Sequence, residues 1–136
     1  MASSDFKVSI SEKTIAEVEK AYLPSTKHGA DIRFHGVVRD EEDGRIITGI
    51  DYSCYPEMAE GELNKIGESM IEENPDHLVS IHHCVGFVAA GDASIIIRVQ
   101  TAHSQAAFDI SREYLKRIKD SVPIWKKPIF AEPSTT

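Results

Sequence analysis

Residues 119–130 read KDSVPIWKKPIF, so Lys119, Lys126 and Lys127 flank Pro123, Ile124 and the only tryptophan of the chain, Trp125. Lys119 falls near the end of a predicted helix. There its plain role is to complement the negative end of the helix dipole, worth about 0.3–1 kcal/mol. Lys126 and Lys127 read equally as solvated surface charges. A proline-anchored bend, however, can carry Lys126 back toward Lys119. A lysine crowded by other cations gives up its proton more readily, and then serves as a nucleophile or proton carrier near neutral pH.

A second candidate is Arg39, at the end of a predicted strand and ahead of Asp40-Glu41-Glu42. An arginine there can grip a phosphate or carboxylate through two parallel hydrogen bonds. A surface ion pair with the acidic run is the plainer alternative. Phe34 on the same strand reads as core or as a stacking surface. His82-His83-Cys84 invites a metal reading, but neighbouring strand residues point to opposite faces, so His82 and His83 do not readily chelate one ion. Zinc needs three or four converging ligands, so no metal site is expected. His103 precedes the last predicted helix, where an exposed N-terminus can attract an anion. No phosphate-loop or dinucleotide glycine pattern is present, and Gly86 and Gly91 read as turn residues.

These residues sit on a chain of 136 residues with a formal net charge of −7. That length suits one domain, residues 1–136. The charge is uneven: residues 111–127 carry six cations (Arg112, Lys116, Arg117, Lys119, Lys126, Lys127) against Glu113 and Asp120. A positive region on a negative body can attract a small anion without binding polyanions, so no nucleic-acid partner is expected. No apolar run approaches the ~20 residues that span a bilayer. The stretch MASSDFKVSI lacks the features of a signal peptide, so a cytoplasmic location is expected. Two cysteines are too few for a disulfide framework, and Cys54 and Cys84 read as reduced core thiols.

Periodicity supplies the elements. Residues 11–23 predict a helix with Ile15, Val18 and Tyr22 on one face and Ser11 as cap. Residues 29–40 alternate as a strand through Ala30, Ile32, Phe34, Gly36 and Val38. Asp43-Gly44 predicts a hairpin to residues 46–55, with Ile46, Thr48, Ile50, Tyr52 and Cys54 sharing a face. A helix over 57–73 carries Met58, Leu63, Ile66 and Met70. Strands over 78–88 and 93–101 flank Ala90-Gly91-Asp92 as a second hairpin. A last helix spans about 104–120, with Ser104 as cap and Ala107, Ile110, Tyr114 and Ile118 facing inward, followed by a short extended tail. The paired hairpins imply an α+β domain rather than a doubly wound one.

In chain order, F-x-G-x-V-R (Phe34–Arg39), Y-x-x-Y-x-x-M-A (Tyr52–Ala59), G-x-x-x-x-G-D (Gly86–Asp92), Ala102-His103 with Ala107-Phe108, and V-P-I-W-K-K (Val122–Lys127) resemble the large, catalytic subunit family of molybdopterin synthase. The resemblance covers about residues 28–127 and is most specific at V-P-I-W-K-K. It implies an α/β hammerhead-type fold with an antiparallel-rich sheet and three main helices. It implies a sulfurtransferase that forms the molybdopterin dithiolene and needs no cofactor or metal. Sulfur would pass from a ubiquitin-like small subunit ending in a Gly-Gly thiocarboxylate to cyclic pyranopterin monophosphate. The assembly implied is a homodimer within a heterotetramer.

Carried over by motif, Lys119 would serve as proton carrier or transient acceptor of the carboxyl tail. Lys126 would position the thiocarboxylate. Arg39 would hold the phosphate or pterin, His103 would add a donor, and Phe34 would shape the pocket. The family pattern has arginine where this chain has Cys84 and Ser104, and glutamate where it has Pro128; its tail also runs on to further basic residues, beyond the FAEPSTT that ends this sequence. Each arginine lost from a phosphate site forfeits roughly 1.5–3 kcal/mol, unless Arg33, Lys116 or Lys127 substitutes. Two alternatives therefore stand beside the synthase: an impaired homologue that only binds a ubiquitin-like sulfur carrier, and a sulfurtransferase for another anionic acceptor.

Overall fold

Phe6, Val8 and Ile10 alternate with Lys7, Ser9 and Ser11, and this period of two folds as a strand that opens the described chain. The structure is a computed structural model and describes residues 6–132. The order is β1 (Phe6–Ser11), α1 (Ile15–Lys20), β2 (Ala30–Val37), β3 (Glu41–Glu42), β4 (Arg45–Ser53), α2 (Pro56–Glu73), β5 (Leu78–Cys84), β6 (Gly86–Ala89), β7 (Ala93–Thr101), α3 (Ser104–Ser121) and β8 (Trp125–Phe130). The α+β reading with three helices holds. The readings of residues 1–5 and of the last four residues lie outside the described range.

The first sheet has the order β1-β5-β7-β2. β1 runs parallel to β5, and the other pairs are antiparallel. One face carries Val79, Ile81, Ile95, Ile97 and Val99, with Phe6, Val8, Ile10 and Phe34 packed around them. Against it lie Leu63, Ile66 and Met70 of α2 and Ile110, Tyr114 and Ile118 of α3. Those helical stripes recur every three or four residues, the spacing that keeps one face inward. Met58 departs from its predicted stripe and is exposed; Ala59 and Gly67 complete the buried face instead. The two helices are tied at depth: His77 donates from Nδ1 to the Asn74 carbonyl (2.6 Å) and accepts the Tyr114 hydroxyl at Nε2 (2.7 Å).

The second sheet holds β3, β4 and β6, with β8 also on β4. Here three expectations are corrected. Asp43-Gly44 does turn a hairpin, but between the short β3 and β4; both residues take positive φ (52° and 78°), as a two-residue primed turn requires. β2 instead pairs with β7 along Ala30–Val37. The register of β4 against β8 slips between Ile47 and Gly49, and this irregularity changes the phase. Ile46 is therefore exposed and Ile47 buried, while Ile50 and Tyr52 point inward as expected. Finally, the second predicted hairpin divides. β5 pairs with β7, whereas the chain breaks at Gly86 (φ +87°) and continues as β6 on β4 in the other sheet.

The first and third helices begin differently from expectation. Ser11 ends β1, and Thr14 caps α1 by accepting the Glu17 N–H (3.1 Å). At α3 the cap position falls on His103, whose side chain makes no capping bond, and Ser104 is the first helical residue. The tail is a paired strand: Trp125 to Phe130 lie opposite Ser53 to Ile47, with Lys126 across from Tyr52.

Candidate active site

Lys119 rides in the last turn of α3. The helix stops because Val122 takes an extended conformation (φ −86°, ψ 118°), as a residue before proline prefers. The chain bends through Pro123 and Ile124 and re-enters as β8, which carries Lys126 opposite Tyr52. β2 brings Phe34, and Arg39 follows just beyond its end. Lys119, Lys126, Arg39 and Phe34 line one cavity of about 410 Å³. Ile95, Leu115, Ile118 and Ile124 give it apolar walls. Its floor is tight: a Cβ on Gly36 would meet Ile95 Cγ2 at 2.6 Å.

Among the described residues, Arg39, Lys119 and Lys126 form no ion pair, so the pairing of Arg39 with the acidic run 40–42 is not realised. A partly apolar hollow edged by three uncommitted cations suits an anionic ligand. All three residues are exposed, and their clustering concentrates positive charge along the edge of the hollow.

The cavity also contains residues that the sequence reading did not place there. His83, Tyr52 and Ser94 line it. His83 is buried, donates from Nδ1 to the Cys84 carbonyl (2.7 Å), and meets the Tyr52 ring edge-on at 5.1 Å. Burial pushes its pKa down; nearby His82 and Lys126 act in the same direction, against the hydrogen bond to the Cys84 carbonyl. The signal available in the sequence was phase. His83 is in register with the core residues Val79 and Ile81, so its side chain belongs to the helix side of the sheet. His82 points the other way, accepting from the Ser9 hydroxyl (2.6 Å) and donating to the Lys13 carbonyl (2.8 Å). Among the described residues no three His, Cys, Asp or Glu side chains converge as metal ligands.

Four expected participants stand elsewhere. His103 occupies the opposite end of α3 from Lys119, about 24 Å away at 1.5 Å per residue. Lys116 is exposed on α3 and does not line the cavity. Lys127 faces away from Lys126 and pairs in register with Asp51. Arg33 is committed to Glu19 (3.1 Å) and Asp31 (3.3 Å).

The two missing arginines also fall outside. The Cys84 thiol donates to the Lys13 carbonyl (3.3 Å), and Cys84 lines a separate hollow of about 420 Å³ beside Glu12, Glu19 and Asp92. Ser104 is at the far end of α3. Within one copy, then, neither position lines this cavity, because of alternation along β5 and the length of α3.

The family model described as MoaE protein matches residues 7–121. A molybdopterin synthase catalytic subunit from Halalkalibacterium halodurans is 38% identical over 99 residues, which are 73% of this chain and 64% of that protein. The human protein of the same name is 36% identical over 107 residues, 79% of this chain and 57% of its own length. The chain thus matches less than two thirds of the length of these two relatives. The crystal structure of molybdopterin synthase from Staphylococcus aureus superposes with a TM-score of 0.80 at 29% identity, covering 95% of this chain and 93% of that one. A complex of subunits 1 and 2 of the molybdopterin-converting factor from Helicobacter pylori shares the fold, with a TM-score of 0.69 at 24% identity over 93% of this chain and 90% of that one.

Proposed function

The chain belongs to the MoaE protein family, and from that premise we propose that it is the catalytic subunit of a molybdopterin synthase. It takes sulfur from a thiocarboxylated ubiquitin-like small subunit and delivers it to cyclic pyranopterin monophosphate, forming the dithiolene. The observation that carries this reading is the meeting of Lys119, Lys126 and Arg39 in one cavity with no partner anion among the described residues. Two anions, a phosphate and a thiocarboxylate, must approach each other there. Cations fixed beforehand offset their repulsion and stabilise the charge that develops on oxygen and sulfur.

Arg39 can hold the phosphate with paired N–H donors. Lys126, on a strand, positions the thiocarboxylate. Lys119, at a helix end, carries a proton or accepts the released carboxyl tail. Phe34 shapes the wall on which the pterin ring lies. His103 is too far from Lys119 to join the same copy's cavity. A role for it requires the homodimer at the centre of a heterotetramer, which is part of the proposal, as is a cytoplasmic location. No described helix is long and apolar enough to cross a membrane.

The test is a single-turnover reaction of this chain with the thiocarboxylated partner and the cyclic pterin, with Lys119→Ala in parallel. Dithiolene from the wild type and none from the variant supports the reading. Partner binding without product from the wild type would instead identify a binding module that has lost turnover.

A further inference from the structure

We propose that His83 is the proton acceptor of the cavity, taking at Nε2 the proton of the water that frees the partner's carboxyl tail from the transferred sulfur. This rests on the sulfur-transfer reading above. The Cys84 carbonyl can only accept a hydrogen bond, so the 2.7 Å contact places the ring proton on Nδ1 and leaves the lone pair on Nε2. Nε2 bonds to no described residue, and His83 lines the same cavity as Lys119, Lys126 and Arg39. Ammonium and guanidinium groups are donors with no acceptor. In this water-dependent step, the alternative to capture of the tail by Lys119, the cations stay charged and hold anions, and the Ser94 hydroxyl is already donated to the Gly36 carbonyl (3.3 Å).

The ring is also fixed in place. It is 8% exposed and packs edge-on to Tyr52, which lies directly across the strand pair from Lys126. The titratable and charged groups around it are Tyr52 from β4, Lys126 from β8, Lys119 from α3 and Arg39 beyond β2; among the described residues no carboxylate lines the cavity. His82, on its own strand, faces the other side of the sheet. Burial first, then His82 and Lys126, push its pKa down against the hydrogen bond to the Cys84 carbonyl, which keeps the imidazole ready to accept.

The step balances without a redox partner. Once the thiocarboxylate sulfur has bonded to a pterin carbon, that sulfur joins the pterin to the partner's terminal carbonyl as a thioester. Water oxygen bonds to the carbonyl carbon and gives one proton to Nε2. The carbonyl carbon–sulfur bond then breaks, and its electron pair leaves with sulfur as a thiolate on the pterin. The new carboxyl group releases its proton, and the imidazolium returns its own to solvent. Lys119 and Lys126 stabilise the intermediate oxyanion and the departing thiolate.

His83→Asn keeps a donor near the Nδ1 position and removes Nε2. Single-turnover reactions with thiocarboxylated partner and cyclic pterin are followed by mass spectrometry across pH. The expected result is tail release slowed by roughly 10²–10⁴-fold, with accumulation of the partner–pterin thioester. The acid limb of the wild-type pH profile disappears in the variant, and added imidazole restores part of the rate. An active wild type with a variant of equal release rate and unchanged pH profile overturns this proposal alone. So does loss of turnover without the thioester, since His83 would then serve an earlier step. An inactive wild type overturns the sulfur-transfer reading and this proposal with it. If the variant folds poorly, nitrogen-resolved NMR of wild-type His83 decides: a protonated Nδ1 and bare Nε2 at pH 7 are expected, and a protonated Nε2 overturns the assignment.

Discussion

At the scale of single residues, the proposed reading divides binding from chemistry between Arg39 and Lys119. Arg39→Ala removes a fork of donors to the phosphate; a charge-assisted bond is worth roughly 1.5–3 kcal/mol, so the pterin KM should rise about 10–100-fold with a smaller change in kcat. Steady-state kinetics with varied pterin checks the split. Asp31 presents a second residue-scale case. Its carboxylate meets Arg98, which is 5% exposed, at 2.9 Å. The Arg98 hydrogen bonds hold Asp31 below the usual carboxylate range, with Arg33 assisting against burial. Asp31→Asn strands the guanidinium and should destabilise the fold by about 1–3 kcal/mol, read by urea melts at pH 7. Stability should also follow pH through His82 and His83, both lowered first by burial. The unfolded chain takes up protons below about pH 6.5, where the folded imidazoles still resist them. Their contribution is therefore whole above that pH and is lost as pH falls through the lowered folded values. The thermal midpoint should drop between pH 7 and 5, and less so in a His82→Gln/His83→Asn double variant.

At the scale of elements, the glycines distinguish positions by their surroundings. Gly86 has φ +87° where β5 hands over to β6. Gly86→Ala should cost about 1–2 kcal/mol from that conformation alone. Gly61, inside α2 with nothing within 4 Å of a built Cβ, should behave oppositely. Gly61→Ala should stabilise by about 0.5–1 kcal/mol; paired denaturant melts test both signs. What could be read from sequence divides along similar lines. α2 and α3 were legible because their inward stripes and their ends at Asn74 and before Pro123 are written locally. The pairing of β2 with β7 was not, because a turn signal at Asp43-Gly44 cannot say which strand precedes it. β1 is hard to read from sequence although Phe6, Val8 and Ile10 alternate, since an isolated stretch of six residues carries little pattern. The irregularity near Thr48 is a property of the β4–β8 pair, invisible in β4 alone. Of the site, Lys119, Lys126 and Arg39 stood out as candidates from the bend and the strand end, whereas the place of Phe34 in the pocket came only with the motif resemblance. His83 was not legible, because its role depends on which face of β5 meets the cavity.

At the scale of the whole molecule, a cationic cavity sits on a chain of net charge −7. Attraction of the anionic pterin to a local positive field on a negative body depends on screening, and the Debye length is only ~8 Å at physiological salt. Raising ionic strength from about 0.05 to 0.5 M should lower kcat/KM for the pterin severalfold while leaving single-turnover chemistry at saturation nearly unchanged. Stopped-flow measurements separate the two. Lys119 is anchored through α3 to the first sheet, and Lys126 through β8 to the second, with only Asp120 to Trp125 between them in sequence. The spacing of the two ammonium groups is thus a gauge of how the two sheets are docked. A nascent chain with only its first sheet formed presents one lysine and no opposing wall, so it cannot draw a reactive sulfur donor into a half-made hollow. On the proposed reading the site is complete only once the last strand lies on β4, so a check on assembly is built into it.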